Sequence, residues 1–427
     1  MRRIFKRDNN EKLGLVLSGG GSKGAYEIGA YLALRHLGKR PDVVTGTSIG
    51  AINGLLIVQN DWRKAIRLWK KISFSLIYDE NSFPICDNPE LKDIYKLYIK
   101  SFINDGGLDI EKLKLLLNEV YNPRKFFSSP VDYGLVTYNL SKRKPVFKTK
   151  NNLKSNLVKD YVLASASCYP AFKPYRIGHD LFIDGGYYDN MPVNLAIDLG
   201  ATEVIAVDLR AVGFKQPNKL NVPITVITPR NKIVPFLVFD KSRSREAIRF
   251  GYNDTMKTFG KLEGNVFTFR KRSLVNNYKR YGVIFEDTVH KIVKRFDKGI
   301  IGKILSTSLF KTFLADKLTY ENFNKLIEKA GQSFGLPEDN IYNIRTFNKA
   351  LLSELSKAKG NELNDVLTRV KERNVRNFIN AQGIIKLFFE AISKNDFEGV
   401  KRLIPLFADE FLIAIYLYVV RQRVSFY

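Results

Sequence analysis

Residues 12–24 read KLGLVLSGGGSKG, an apolar run that passes directly into a glycine-rich turn. The run 12–17 has the length and composition of a short buried strand, and residues 24–37 predict a helix. Successive glycines between a strand and a helix expose backbone N–H groups in a concave nest, which suits a phosphate group or an oxyanion. A tight turn without a ligand is the alternative. Either way, the strand–turn–helix order favours an α/β fold.

A second strand–turn–helix unit follows at residues 41–50, PDVVTGTSIG. Residues 41–46 predict a strand, and residues 50–59 predict a helix rich in small side chains. The turn between them is a G-x-S-x-G pentapeptide, with Ser48 between Gly46 and Gly50. Such a sharp turn exposes a serine hydroxyl at the start of a helix, and flanking glycines allow close backbone packing. Ser48 is therefore a candidate nucleophile.

The third pattern is Asp184-Gly185-Gly186, at the end of the strand-like residues 181–184, LFID. A carboxylate at the end of such a strand is placed to face the cleft of an α/β sheet. An ordinary Asp-Gly turn is the alternative. The same tripeptide occurs at residues 105–107, but no strand precedes it there, so we interpret that copy as a loop.

The rest of the chain divides into a part with strand signals and a part without them. A hairpin is expected within residues 132–150, and β-branched runs at 203–209 and 223–228 are typical of buried parallel strands. Residues 300–427 show helical patterns only. We therefore predict a basic N-terminal segment (1–11), an α/β catalytic domain with a mainly parallel sheet (12–300) and an all-helical C-terminal domain (301–427).

The scarcity of histidine bears on how Ser48 would be activated. The chain contains His36, His179 and His290, and only His290 follows Asp184, as the order of an α/β-hydrolase triad requires. It lies in a basic helical stretch where a surface position is expected, so a Ser–Asp dyad fits better than a triad. Because aspartate is a weak base, such a dyad depends on burial to raise its pKa and on the glycine nest to hold an oxyanion.

Residues 19–24, GGGSKG, also fit the G-x-G-x-x-G fingerprint of a dinucleotide site. That fingerprint expects an acidic residue after the next strand, whereas Asp42 comes before it. A P-loop is excluded because no Gly-Lys-Ser/Thr sequence follows the glycines. A dinucleotide-dependent oxidoreductase therefore stays as an alternative that lacks its acidic partner.

The composition is that of a globular protein with a large excess of positive charge. Hydrophobic residues make up 45%, and the formal net charge is +26, which favours anionic partners; a lysine-rich background composition is the alternative. No apolar segment follows the basic N-terminus, so no signal peptide is expected. The most apolar run, 411–420, is too short to span a membrane and predicts a buried core helix. Cys86 and Cys168 match no metal-ligand spacing and favour a reducing compartment.

Taken in order, these motifs resemble those of the patatin-like phospholipase family: GGGSKG at 19–24, GTSIG at 46–50 and DGG at 184–186. ASASCYPAF at 164–172 and the segment 184–209 are similar to further family sequences, and the resemblance covers roughly residues 12–260. It implies a three-layer α/β sandwich around a mainly parallel sheet. It also implies hydrolysis of lipid ester bonds without a metal or cofactor.

Carried over onto this sequence, the resemblance implies Ser48 as nucleophile and Asp184 as general base. The supporting residues that it implies are the oxyanion-hole donors Gly19, Gly20 and Gly21, the glycines beside the nucleophile, Gly46 and Gly50, those after the base, Gly185 and Gly186, and Lys23 in contact with the loop or with a lipid phosphate.

Together with the composition, this resemblance implies a cytoplasmic phospholipase A or lysophospholipase that associates peripherally with anionic membranes. Phospholipid or lysophospholipid is the expected substrate, and nucleic acid is not an expected partner. Basic clusters at residues 2–3, 241–249 and 270–272 are candidates for the membrane contact. A non-catalytic basic binding module is the remaining alternative, and it leaves the pairing of Ser48 with Asp184 unexplained.

Overall fold

A computed structural model of the chain describes residues 11–77, 106–233, 235–296, 318–360 and 380–424, together with residues 96, 100, 103 and 104. Some sequence-based predictions lie outside the described residues. They are most of the basic segment 1–11 with its cluster at 2–3, Cys86, Asp105 of the second Asp-Gly-Gly tripeptide, and residues 301–317, 361–379 and 425–427 of the predicted helical domain.

The chain divides into two compact units, residues 1–258 and 259–427. The second unit begins well before the boundary predicted between residues 300 and 301. Phe267, Phe269 and Leu274 explain the difference, because their side chains belong to the hydrophobic core of the second unit. The predicted boundary was placed where the strand patterns end. A strand pattern does not indicate which hydrophobic core buries the strand, so it could not show that residues 259–270 belong to the second unit.

An eight-stranded sheet forms the centre of the first unit. Its strands are β1 (Leu13–Leu17), β2 (Val43–Thr47), β3 (Asp132–Asn139), β4 (Lys144–Thr149), β5 (Tyr175–Ile177), β6 (Asp180–Asp184), β7 (Glu203–Val207) and β8 (Ile224–Ile227). They follow the order β5-β6-β3-β2-β1-β7-β8, and β4 pairs with β3. Strands β3, β2, β1, β7 and β8 are parallel to one another, whereas the pairs that involve β4, β5 and β6 are antiparallel. The predicted α/β fold with a mainly parallel sheet is confirmed.

The central strands are apolar because both faces of the sheet are covered. Every residue of β1 and β2 is buried. The strands predicted at 12–17, 41–46, 181–184, 203–209 and 223–228 correspond to β1, β2, β6, β7 and β8, with ends that differ by one or two residues. The predicted hairpin is formed by β3 and β4.

Helices lie on both faces of this sheet. In chain order they are α1 (Gly24–His36), α2 (Ile49–Val58), α3 (Trp62–Lys71), α4 (Phe74–Ile77), α5 (Glu111–Val120), α6 (Pro123–Ser128), α7 (Val158–Ala166), α8 (Val193–Asp198) and α9 (Lys241–Thr258). Helix α2 packs on the face that carries Leu17 and Val44. Helix α8 packs on the opposite face, where Ala196 and Val16 share a buried cluster. The three layers implied by the resemblance are therefore present.

The second unit contains five described helices and a small sheet. The helices are α10 (Ser273–Val293), α11 (Tyr320–Ser333), α12 (Ile344–Lys357), α13 (Ala381–Lys394) and α14 (Ala408–Val424). The strands are β9 (Leu262–Glu263), β10 (Thr268–Arg270) and β11 (Ile341–Tyr342). The predicted helical C-terminal region is confirmed for the described residues, except for the two-residue strand β11. A two-residue strand shows no periodicity in the sequence, and β11 forms because it pairs with β10.

Helix α14 contains the most apolar run of the chain. Its residues 411–417 are completely buried in the hydrophobic core of the second unit, as predicted for a core helix. Among the described residues, no helix combines the length and the apolar character needed to cross a membrane.

Candidate active site

Ser48 lies on the turn between the end of β2 and the start of α2. Its backbone has φ 57° and ψ −124°, a conformation that residues other than glycine seldom adopt. The flanking glycines make the turn possible. A Cβ atom on Gly50 would lie 2.3 Å from the Leu17 carbonyl oxygen, and one on Gly46 would lie 2.3 Å from the backbone of Gly50. The turn therefore presents the Ser48 side chain at the N-terminus of α2, as a nucleophile elbow does.

Asp184 is the last residue of β6 and lies beside Ser48. Because β6 runs antiparallel to β3, Asp184 pairs with Thr137 part-way along β3. The carboxylate reaches the serine because of the register of this antiparallel pair. The sequence had suggested instead that Asp184 faces the cleft simply because it ends a strand of an α/β sheet. A Cβ atom on Gly185 would lie 2.2 Å from the Val136 carbonyl oxygen, so the chain needs glycine where it leaves the sheet.

The carboxylate of Asp184 accepts a hydrogen bond from the Gly186 N–H at 2.7 Å, and the Ser48 hydroxyl lies near enough to act on its pKa as a hydrogen-bond donor. Ser48 is 7% exposed and Asp184 5% exposed. Burial raises the pKa of Asp184 to about 6, against the two hydrogen bonds, which lower it. The raised pKa makes Asp184 a stronger base than an exposed aspartate, which is what activation of a serine without histidine requires.

The glycine loop 19–21 follows β1 and lies against Ser48. The Gly19 N–H donates to the Asn190 carbonyl oxygen at 3.0 Å. A Cβ atom on Gly19 would lie 2.2 Å from the side-chain oxygen of Asn190 and 3.2 Å from the Ser48 Cβ. The Gly19 N–H is thus engaged within the protein, which differs from the role of oxyanion donor expected for it. The N–H groups of Gly20 and Gly21 have no acceptor in the described part of the chain.

Lys23 fastens the glycine loop to the segment after β7. Its ammonium group donates to the Leu209 carbonyl oxygen at 3.4 Å. Burial lowers the pKa of Lys23, while the charge of nearby Asp208 acts to raise it. Ser18 supports the same contact, because its hydroxyl oxygen accepts the Leu209 N–H at 2.9 Å. Of the two roles that the sequence left open for Lys23, these contacts favour orientation of the loop.

Ser165 supports the backbone of Ser48, a role that the sequence did not indicate. Its hydroxyl oxygen accepts the Ser48 N–H at 2.9 Å and donates to the Val136 carbonyl oxygen at 2.6 Å. Ser165 is completely buried, so these two bonds fix the backbone of the nucleophile to β3. Its position within ASASCYPAF, one of the segments that carry the family resemblance, was the available signal.

Asp189 and Asn190 brace the site from the segment that follows Asp184, and the sequence analysis named neither. The Thr47 hydroxyl donates to the Asp189 carbonyl oxygen at 2.7 Å, beside the nucleophile turn. Burial raises the pKa of Asp189 to about 6, against backbone hydrogen bonds from Met191 and Gln216. Because the carboxylate of Asp189 is held by backbone N–H groups, its contacts are those of a structural residue.

The described contacts include no bond between a histidine and Ser48. His36 forms a hydrogen bond with the Tyr252 hydroxyl at 2.6 Å, and the ring of His290 contacts a carbonyl oxygen of its own helix at 2.9 Å. His179 is exposed in the turn before β6. The geometry therefore favours the Ser–Asp pair over a triad that contains histidine.

The carboxylate considered for a dinucleotide site lies away from the glycine loop. Asp42 accepts the Leu13 N–H at 2.8 Å, at the first residue of β1. The glycine loop follows the last residue of the same strand, at the other edge of the sheet. The acidic partner of a dinucleotide fingerprint is therefore not provided by Asp42.

An apolar cavity opens beside Ser48. Side chains from α2, α3, α5 and the loop 236–239 form most of its wall, among them Ile52, Leu56, Leu117 and Phe236. Its volume is about 70 Å³, so it has room for only a few methylene groups of an acyl chain, each worth about 0.8 kcal/mol when buried.

Asn53 is a polar residue in the wall of this cavity, and it belongs to a buried network. Its Nδ2 donates to the Glu27 carboxyl group at 2.8 Å, and its Oδ1 accepts the Trp69 indole N–H at 3.0 Å. Burial raises the pKa of Glu27 well above its usual range. The network holds Trp69 in the cavity wall without placing a charge there.

The fold and the site define an α/β protein with a serine on a sharp turn between a strand and a helix, a buried carboxylate next to it and an apolar cavity beside it. Residues 15–197 match the family model described as patatin-like phospholipase. Over these residues the match confirms the resemblance seen in the motifs.

Curated relatives match half of the chain. The proteins named lysophospholipase NTE1 are 26% identical over 226 residues in Debaryomyces hansenii, 30% over 224 in Chaetomium globosum and 27% over 226 in Candida albicans. This chain covers only 13–14% of the length of these relatives. The crystal structure of VipD from Legionella pneumophila aligns with 96% of this chain and 92% of that chain, at a TM-score of 0.40 and 15% identity.

Proposed function

We propose that the first unit is a serine lipid acyl hydrolase, which cleaves carboxylic ester bonds of phospholipids or lysophospholipids through Ser48 and Asp184. The observation that carries the proposal is the placement of a buried carboxylate next to a serine on a strained turn. The apolar cavity beside Ser48 supports an acyl substrate. The relatives named lysophospholipase support a phospholipid with one or two acyl chains.

In the first half-reaction, the Ser48 hydroxyl oxygen forms a bond to the ester carbonyl carbon while its proton passes to the Asp184 carboxylate. The carbonyl oxygen becomes an oxyanion, which the unengaged N–H groups of Gly20 and Gly21 stabilise. When the C–O bond to the leaving alcohol breaks, Asp184 returns the proton to that alcohol. An acyl group then remains on Ser48.

In the second half-reaction, water replaces the alcohol. Asp184 accepts a proton from the water as its oxygen attacks the acyl carbon, and the same two N–H groups hold the second oxyanion. The bond to Ser48 breaks, and the proton returns to the serine oxygen. The fatty acid leaves, and both side chains are restored.

The proposed function is tested with a fluorogenic phospholipid and a serine-reactive fluorophosphonate probe. We expect the wild-type protein to cleave the lipid and to be labelled, and Ser48→Ala to do neither. Ser167→Ala is the control, because Ser167 is also buried but bonds the Leu163 carbonyl oxygen on its own helix. Labelling of Ser48→Ala at the wild-type rate would refute Ser48 as the nucleophile.

We also propose that the first unit meets its substrate at an anionic lipid surface through the loop 210–220. Val212 is fully exposed, and Phe214 and Leu220 are 67% and 60% exposed. Arg210 and Lys219 are exposed in the same loop. Apolar side chains next to positive charges suit the interface of an anionic membrane, where each well-placed cation adds about 1 kcal/mol.

The backbone of this loop is bonded to the segment that carries the proposed base. The Phe214 N–H donates to the Gly186 carbonyl oxygen at 2.9 Å, and the Phe214 carbonyl oxygen accepts the Asn190 N–H. A loop that rests on the lipid surface would therefore hold Ser48 and Asp184 close to the ester groups.

Sedimentation with phosphatidylserine vesicles tests this contact, using the Ser48→Ala protein so that no lipid is cleaved. We expect binding to weaken as salt rises, and Val212→Ser with Phe214→Ser to weaken it about tenfold or more. Val283→Ser on α10, where the valine is 69% exposed, is the control. Binding that responds neither to salt nor to the loop substitutions would contradict the proposed surface.

A further inference from the structure

The second unit contains a polar cavity of about 840 Å³ that the proposed reaction does not use. Side chains from α10 and α12, and from the C-terminal end of α14, line it. All these elements belong to the second unit, whereas Ser48 and Asp184 belong to the first.

The described residues that line this cavity include five cations and no carboxylate. The cations are Lys271, Arg280, Arg345, Lys349 and Arg423. Three lysines elsewhere in the second unit pair with carboxylates: Lys325 with Glu321, Lys329 with Asp409, and Lys401 with Glu398.

No comparable ion pair of Lys271, Arg345, Lys349 or Arg423 occurs within the described part of the chain. Several like charges around one cavity repel one another. A bound anion would relieve that repulsion, and guanidinium groups can hold phosphate oxygens in pairs.

A buried hydrogen-bonded network fixes the floor of the cavity. The Tyr416 hydroxyl donates to Asn348 Oδ1 at 2.7 Å and accepts from Asn277 Nδ2 at 3.1 Å. Asn348 Nδ2 donates to Asn277 Oδ1 at 3.2 Å. All three side chains are buried, so the network ties α10, α12 and α14 together. The lysines and arginines at the rim of the cavity are therefore attached to helices whose relative positions are fixed.

The N-terminus of α12 adds positive potential to the same cavity. This helix begins at Ile344, which lines the cavity, and the N-terminus of a helix carries about half a positive charge. The N-terminus of α10 contributes less, because the Glu263 carboxylate accepts the Leu274 N–H there at 2.6 Å. The end of α12 thus acts in the same direction as the surrounding lysines and arginines.

We propose that this cavity binds an anion that carries two or more phosphate groups, either free in solution or as the headgroup of a lipid. A volume of about 840 Å³ exceeds what a single phosphate fills, and cations on three helices can each meet a different phosphate group. The inference does not rest on the hydrolase activity, because no residue of the cavity belongs to the site around Ser48.

The test measures binding of inositol trisphosphate by calorimetry, and sedimentation with vesicles that contain phosphatidylinositol bisphosphate. The full chain with Ser48→Ala is used, so that lipid hydrolysis does not interfere. The test variant is Arg345→Gln with Lys349→Gln. The control is Lys70→Gln with Lys71→Gln, which removes the same charge from exposed positions at the end of α3. Thermal unfolding checks that both variants are folded.

We expect inositol trisphosphate to bind the parent chain and to bind the test variant about tenfold or more weakly, with the control variant unchanged. If the source is a lipid headgroup, the bisphosphate vesicles bind more tightly than phosphatidylserine vesicles of equal charge, and the test variant loses the difference. If the source is a free anion, the two kinds of vesicle bind alike. Absence of trisphosphate binding to the parent chain, or an equal loss in both variants, would overturn the proposal.

Discussion

At Asp184 the requirements of catalysis and of stability oppose each other. Folding raises the pKa of this carboxyl group to about 6, above the value near 4 of an unfolded aspartate. A group whose pKa is raised on folding favours the native state most below its unfolded pKa, and this stabilisation is lost as the pH rises through the folded value. At neutral pH the ionised carboxylate of Asp184 therefore lowers the free energy of unfolding.

We expect Asp184→Asn to raise the free energy of unfolding at pH 8 by up to about 3 kcal/mol, and to change it little at about pH 3, where the wild-type carboxyl group is mostly protonated in both states. Ester hydrolysis should fall about 10²–10⁴-fold, since the amide cannot accept the serine proton. Urea unfolding at the two pH values and assays with a soluble ester measure the two effects. A variant that is less stable than wild type at pH 8 would contradict the assigned electrostatics.

Ser165 positions the proposed nucleophile, Ser48, by accepting its backbone N–H, so substitution of Ser165 should lower mainly the turnover rate. Ser165→Ala leaves the Ser48 N–H and the Val136 carbonyl oxygen without this hydroxyl partner. We expect a loss of about 1–3 kcal/mol in stability and a fall in kcat that exceeds the change in KM. Ser167→Ala is the matched control, and kinetics with a soluble ester separate the two constants. Equal kcat values for the two variants would leave Ser165 with a structural role only.

The sequence identifies the residues at the centre of the site but not those that hold them. Ser48 and Asp184 stand in short motifs whose spacing is local. Ser165 and Ser48 are 117 positions apart, and Asn190 and Gly19 are 171 apart. Their contacts exist only because the sheet order brings these segments together, and no local pattern reports that order. For the same reason, the engagement of the Gly19 N–H was not predictable.

At the scale of elements, direction proved harder to predict than position. The strand at residues 181–184 was expected where β6 lies, yet its antiparallel direction depends on how the chain returns to the sheet after α7. An alternation of strands and helices predicts parallel pairs, because helical crossovers return the chain to the same edge. The segment between α7 and β6 contains no described helix, only the short strand β5, which pairs with β6 itself.

Two glycines of α2 differ in the space around them, which provides a matched test of the elbow. A Cβ atom on Gly50 would meet the Leu17 carbonyl oxygen at 2.3 Å, whereas the nearest atom to one on Gly54 is a Val44 methyl group at 3.2 Å. We expect Gly50→Ala to displace α2 from β1, with a loss of more than about 2 kcal/mol and of fluorophosphonate labelling. Gly54→Ala should lose less than about 1 kcal/mol, because alanine favours the helix. Thermal unfolding and labelling measure both, and a labelled Gly50→Ala protein would show that the turn tolerates a side chain.

At the scale of the whole chain, the division into two units depends on which core buries each segment. The strands β9 and β10 precede the predicted boundary, and their sequence resembles that of other strands. The side chains of Phe267 and Phe269 nevertheless lie in the core formed with α10 to α14. A pattern of residues indicates that a strand exists, but it does not say what the strand packs against, so the boundary could not be located from the sequence.

The same division predicts that residues 1–258 fold and react without the second unit. All eight strands of the large sheet and the residues around Ser48 lie within this range, and its hydrogen-bonded network is complete around the elbow. We expect the fragment to unfold in one cooperative transition and to be labelled by a fluorophosphonate at Ser48, with Ser48→Ala in the same fragment as the control. The polar cavity proposed to bind phosphate groups belongs to residues 259–427. The fragment should therefore not bind inositol trisphosphate. A soluble fragment that unfolds cooperatively but is not labelled would mean that the second unit is needed to complete the site, whereas an insoluble fragment would mean that the two units do not fold independently.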